Sequence, residues 1–302
     1  MATHDETAGA RREAGLRQGR IEYTEYGSGR VVVFVHGLFV NSALWRDVAP
    51  IVAAAGFRCI VPDWPFGAHK HAMPPDAALD PPAVGTLIRD FLDVLDLRDV
   101  VLVANDTGCA YSQLAVAEDA RRIGALVFTP GDCLDYFFPP MFRFLQVSAR
   151  IPGSTYLLAQ TLRARRLHRL PWVFGLLSKR PIPEEIMAAY VTPMRQDKGV
   201  RRDLGKILRG VDSRHTLRAA EKFSSFDRPV LLAWAPEDRV FPIALAERVS
   251  RLFPNAKVAE IEDSYTFVPE DQPGKLAELI IGVGRSVVPE PPAEGISGPP
   301  PG

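Results

Sequence analysis

The stretch Val100-Val101-Leu102-Val103-Ala104-Asn105-Asp106-Thr107-Gly108-Cys109 passes from a β-branched apolar run into a helical pattern, with only an acid among small residues between them. A strand that turns so sharply into a helix holds its central side chain exposed and strained. It needs small residues two positions before and after to avoid clashes, and Ala104 and Gly108 stand there. The helix that begins here directs the positive end of its dipole at Asp106, which favours the ionised carboxylate. The competing reading is an Asp that merely caps the helix.

Outward from this turn, strand-like runs recur at Val31 to Val35, Phe57 to Val61, Ala125 to Phe128, Val230 to Trp234 and Val258 to Ile261. Helical periodicity fills most of the intervals, at Ser42 to Ala55, Pro82 to Leu95, Gly108 to Asp119, Ile243 to Leu252 and Pro273 to Gly282. Alternation of this kind predicts an α/β fold, a mostly parallel, doubly wound sheet covered on both faces. The Tyr26 to Val31 interval, with Gly27-Ser28-Gly29, reads as a hairpin turn. About 95 residues, 132–226, hold helical stretches and no convincing strand, and are expected to form an inserted helical lid between core segments 20–131 and 227–287. Within the insert 17 Lys and Arg outnumber Asp and Glu about two to one, so a neutral whole conceals a basic part. Both ends, 1–19 and the Pro-rich 288–302, are expected to be disordered tails.

The 302 residues carry 36 basic and 36 acidic side chains, which argues against nucleic acid as the main partner. No stretch approaches a membrane span and Met1 to Gly19 lacks a signal peptide's apolar core, so a cytoplasmic location with no membrane partner is expected. Cys59, Cys109 and Cys133 lie in or beside apolar segments without C-x-x-C spacing and read as buried free thiols. Gly27-Ser28-Gly29 precedes a strand and lacks a third glycine, so it is no dinucleotide fingerprint. No cofactor is expected; the partner is a small-molecule substrate, and a homodimer is compatible with the sequence.

In a parallel sheet, ligands collect beyond the carboxyl ends of strands. Four such places stand out: His36-Gly37-Leu38, the turn at Asp106, Glu237-Asp238 within 235–242, and the segment 262–273 containing Tyr265-Thr266-Phe267. With Pro62-Asp63, they make residues Ile21 to Val287 resemble the α/β-hydrolase superfamily, in its branch with an Asp nucleophile that includes epoxide hydrolases and haloalkane dehalogenases. The resemblance implies Asp106 as nucleophile, the backbone N–H groups of Leu38 and Thr107 as oxyanion hole, and Asp238 as acid partner. In that branch a carboxylate displaces a leaving group from carbon, and a His-activated water hydrolyses the resulting ester.

The sequence departs from the branch where the imidazole should stand, because the segment usually reading Gly-His-Phe is Tyr265-Thr266-Phe267. A threonine hydroxyl accepts no proton near pH 7. His69, in Phe66-Gly67-Ala68-His69-Lys70-His71, is the candidate replacement base, against the reading of a solvent-facing loop histidine. His69 and His71 also admit a metal reading, but no third ligand has suitable spacing, so no metal is expected. Leu38 and Thr107 lack the side-chain N–H donors with which dehalogenases hold halide, which disfavours dehalogenation. Epoxide hydrolases use lid tyrosines as acids, and Tyr156 and Tyr190 are the candidates here, with core packing as the alternative. Three readings stay open: an epoxide hydrolase-like enzyme with an atypical base, a cofactor-independent lyase, isomerase or cyclase using Asp106 as general base, and an inactive ligand-binding relative.

Overall fold

A computed structural model describes residues 9–287, so the expected tail 288–302 and residues 1–8 lie outside the described residues. Eight strands form one sheet: β1 (Ala10–Leu16), β2 (Gly19–Tyr26), β3 (Arg30–Val35), β4 (Phe57–Pro62), β5 (Val100–Asp106), β6 (Ile123–Gly131), β7 (Val230–Trp234) and β8 (Ala256–Glu260). Their order is β1-β2-β4-β3-β5-β6-β7-β8. From β4 to β8 every neighbouring pair is parallel, while β2 runs antiparallel to β1 and β4. The central strands β3, β5 and β6 are buried along nearly their whole length, as their uninterrupted apolar runs require of a sheet covered on both faces. The expected α/β-hydrolase fold is present.

The helices are α1 (Ala49–Ala54), α2 (Pro81–Val94), α3 (Thr107–Glu118), α4 (Arg143–Ser148), α5 (Ser154–Thr161), α6 (Glu184–Gln196), α7 (Lys198–Gly210), α8 (Ser213–Ala220), α9 (Ile243–Ser250), α10 (Val268–Asp271) and α11 (Pro273–Ser286). The chain leaves β3 for β4 on one side, then returns past β3 to β5 on the other. This reversal opens a crevice at the carboxyl ends of β3 and β5, where Leu38 and Asp106 sit.

Four expectations are corrected. Residues 10–16, placed in a disordered tail, form β1 in a hairpin with β2. Its polar sequence hid it because it is an edge strand with one buried residue, Ala14, held by cross-strand ion pairs such as Arg20–Glu13. The hairpin expected around Gly27-Ser28-Gly29 does not form, since β4 lies between β2 and β3. Those glycines instead let the loop pass the start of β4, where a Cβ on Gly27 would stand 2.5 Å from the Phe57 carbonyl oxygen. The helix expected over 42–55 divides into a 3₁₀ turn at Ser42–Trp45 and α1, because Pro50 has no N–H to continue the ladder. Finally, α8, expected within the lid, packs on α3 beside the sheet. That contact explains why α3 is apolar nearly all round: α2 and α8 both cover it.

Candidate active site

Asp106 ends β5 and Thr107 begins α3, and the turn is made at Asp106 itself, with φ 54° and ψ −132°. A non-glycine residue in that conformation is strained and is held only by its surroundings. The packing leaves no alternative to small neighbours. A Cβ on Gly108 would stand 2.6 Å from the carbonyl oxygens of Val35 and His36, and one on Gly131 would stand 2.4 Å from the Asp106 carbonyl oxygen. The Asp106 side chain makes no helix-capping bond to the second or third turn residue, which rules out the capping reading. It leans on the β3 loop, where a Cβ on Gly37 would meet its Oδ2 at 2.1 Å.

The backbone N–H groups of Thr107 and Leu38 face this carboxylate, and the Thr107 hydroxyl lies 3.4 Å from Oδ2. Burial pushes the Asp106 carboxyl up to about 6, against those donors, and the Asp238 charge adds to the rise. Above it lies a hollow of about 310 Å³ walled by Leu38, Phe39 and side chains of the insert, among them Phe138, Phe142, Leu145, Leu162, Trp172, Phe174 and Leu177. Among the described residues, Asp106 is the one charged side chain in that wall. Phe144 and Trp172 also line it while standing 48% and 56% exposed, and so form its rim.

Asp238, in the loop after β7, is buried. Its Oδ1 accepts hydrogen bonds from the N–H groups of Val240 (2.6 Å) and Phe241 (2.7 Å), and its Oδ2 accepts one from the Thr266 hydroxyl at 2.8 Å. Burial raises its pKa to about 6 although all three donors oppose the rise. The Thr266 backbone is fixed in turn, because Asn105, beside Asp106 on β5, donates from Nδ2 to the Thr266 carbonyl oxygen and to the Thr129 hydroxyl, both at 2.7 Å. The sequence-derived residues Leu38, Asp106, Thr107, Asp238 and Thr266 therefore converge.

His69 does not join them. Its ring is buried, with Nδ1 accepting from the Gly67 N–H and Nε2 3.3 Å from Asp203 on α7. Both nitrogens are committed and the ring is absent from the wall of the hollow, so His69 is no replacement base. His71 points instead to Glu22 on β2, and among the described residues no group of three or more His, Cys, Asp or Glu is placed to hold a metal. His36 is equally engaged, receiving the Trp64 N–H at Nε2 and facing the Gly37 carbonyl through Nδ1, and burial lowers its pKa to about 4.

The lid tyrosines are also elsewhere. Tyr156 is 55% exposed under the Arg201 guanidinium, and the buried Tyr190 donates to Glu270, itself held by two bonds from Arg46. Tyr190 thus fastens α6 to the sheet layer instead of facing substrate. Asp271 completes the fastening by accepting from Ser178, Lys179, Arg180 and Tyr265.

One residue escaped the sequence reading. Asp132, just after β6, is fully buried, and its N–H donates to the Asp106 carbonyl oxygen at 3.1 Å. Neither of its carboxyl oxygens has a partner among the described residues. Burial, then the Asp106 charge, raises its pKa well above the ordinary carboxylate value. Its place beyond the strand adjoining β5 was the available signal.

A strand-to-helix turn carrying an acid, backbone donors from the neighbouring loop and a second acid after β7 define the α/β-hydrolase architecture. The alpha/beta hydrolase fold family matches residues 30–273, and the chain belongs to it. It is 27% identical over 276 residues to haloalkane dehalogenase 2 of Mycobacterium tuberculosis, covering 87% of this chain and 91% of that protein. It is 35% identical over 108 residues to an epoxide hydrolase of Caballeronia sordidicola, covering 35% of this chain and 32% of that one. The fold superposes on the haloalkane dehalogenase DatA of Agrobacterium tumefaciens C58 with a TM-score of 0.77 at 21% identity, covering 95% of this chain and all of that one.

Proposed function

We propose that this chain is a hydrolase-family enzyme in which the Asp106 carboxylate attacks an electrophilic carbon of a small apolar substrate. An Asp106 oxygen forms the new bond to carbon, the leaving group departs with its electron pair, and an alkyl ester remains on the enzyme. The observation that carries this reading is the strained Asp106 carboxylate, supported by the Leu38 and Thr107 N–H groups and facing an apolar hollow. The relatives named haloalkane dehalogenase and epoxide hydrolase support an electrophile of this class.

With Tyr156 and Tyr190 turned away, no tyrosine among the described residues lines the hollow to protonate an opening epoxide. A substrate whose leaving group departs without an acid fits better, despite the absence of side-chain N–H donors at Leu38 and Thr107. Thr266 takes the imidazole's place beside Asp238, so water attack on the ester lacks its base and release is slow. Burial and the Asp106 charge both disfavour ionisation of Asp132, which leaves the negative charge to Asp106, since adjoining carboxylates do not both ionise readily.

The test is intact-protein mass spectrometry after exposure to 1-bromohexane and to styrene oxide. A persistent alkyl adduct, formed faster from the bromide and absent in Asp106→Asn, is expected. A second reading, Asp106 as general base in a non-hydrolytic reaction, is favoured by its pKa of about 6. Turnover without any adduct would select it over nucleophilic attack.

A further inference from the structure

A second hollow, of about 470 Å³, lies within the insert between the end of α5 and α6. It shares two wall residues, Leu162 and Phe174, with the hollow above Asp106, so the two spaces adjoin there. The chemistry of the walls differs sharply. The Asp106 hollow is apolar, whereas six Lys and Arg side chains line the second against a single carboxylate, Glu184.

Pairing removes half of that positive charge. Arg165 meets Glu184, while Lys179 and Arg180 meet Asp263. Arg163, Arg169 and Arg195 have no carboxylate within 4.0 Å among the described residues. The Arg195 Nε is moreover buried without a hydrogen-bond partner, although a buried donor costs free energy until something accepts from it. Three uncompensated guanidiniums around one hollow are a site for an oxyanion, which they bind through charge-assisted and bidentate bonds. A free inorganic anion would leave the adjoining apolar space unused.

We infer that the two hollows are one binding site for an anionic amphiphile, with a carboxylate or phosphate head among Arg163, Arg169 and Arg195 and its apolar chain directed past Leu162 and Phe174 toward Asp106. This rests on the proposed use of Asp106 only for the orientation of the chain, since the head-group site stands on the arginines. It gives three of the insert's 17 Lys and Arg a use within a chain of zero net charge.

The test is calorimetric titration of the full chain with octyl phosphate, octanoate, octanol and inorganic phosphate, none of which can alkylate Asp106. Octyl phosphate or octanoate is expected to bind at least about tenfold more tightly than octanol at low salt, with the preference shrinking in 0.5 M salt. Inorganic phosphate alone should bind more weakly than octyl phosphate. Equal affinity for octanol and both anions overturns the proposal, and inorganic phosphate binding as tightly as octyl phosphate reduces the site to one for a bare anion and also overturns it.

The combined variant Arg163→Gln, Arg169→Gln, Arg195→Gln should lose the anion preference while keeping the octanol affinity; retention of the preference sinks the proposal. Should the variant not fold, the salt dependence of the unaltered chain decides between the same two outcomes. Asp106→Asn should retain the preference. Failure to form an adduct on Asp106 would therefore overturn the proposed function and leave the anion site standing.

Discussion

Replacing Asp106 by Asn should make the protein more stable, and by an amount that depends on pH. In the folded chain burial raises this carboxyl from an ordinary value near 3.8 to about 6. A raised carboxylate favours the folded state only while protonated, so its contribution is complete below pH 4 and is lost as pH climbs through 6. The difference between the two values corresponds to about 3 kcal/mol of stability forgone at pH 7.5. Asn has nearly the same shape and carries no charge, so Asp106→Asn should gain roughly 2–3 kcal/mol at pH 7.5 and almost nothing at pH 4. Urea unfolding followed by tryptophan fluorescence at both pH values measures it, because Trp45, Trp64 and Trp234 are fully buried. A variant no more stable than the parent at pH 7.5, or equally improved at pH 4, would show that the buried Asp106 charge carries no such cost.

Thr266→His puts an imidazole beside Asp238 and should speed release of an Asp106 ester by about 10²–10⁴-fold, read as disappearance of the adduct in intact-mass time courses. Thr266→Val removes the donor from the buried Asp238 carboxyl and should cost about 1.5–3 kcal/mol in urea unfolding at pH 7.5, where Asp238 is ionised. Arg46→Gln leaves the buried Glu270 carboxylate without its two charged bonds and should destabilise by about 3–5 kcal/mol in urea unfolding at pH 7.5. Adduct formation by a bromoalkane should rise with pH and level off above a midpoint near 6, as Asp106 ionises; a flat profile from pH 5 to 8 would contradict the assignment.

What the sequence reveals follows from how tightly each residue is constrained. The turn at Asp106 was legible because its sterics demand small residues at fixed spacing, and the fold was legible because fully buried parallel strands are written as unbroken apolar runs. β1 was not, since an edge strand with one buried side chain carries no apolar signature. Helical periodicity marks which face of α8 is apolar, but not that it packs on α3. The two tyrosines illustrate the same gap: residue type advertises an acid, while position on α5 or α6 turned one to solvent and bound the other to Glu270. Asp132 was overlooked because its unpaired burial arises only once β6 lies against β5.

The joint made by Arg46, Glu270, Tyr190 and Asp271 has a consequence for traffic. It clamps one border of the helical insert to the sheet, while the rim of the hollow carries the half-open rings of Phe144 and Trp172. Those rings form a greasy doorstep on which an oily guest can settle before sliding inward. The apolar part of a guest is thereby rewarded for shunning water before it meets the Asp106 carboxylate.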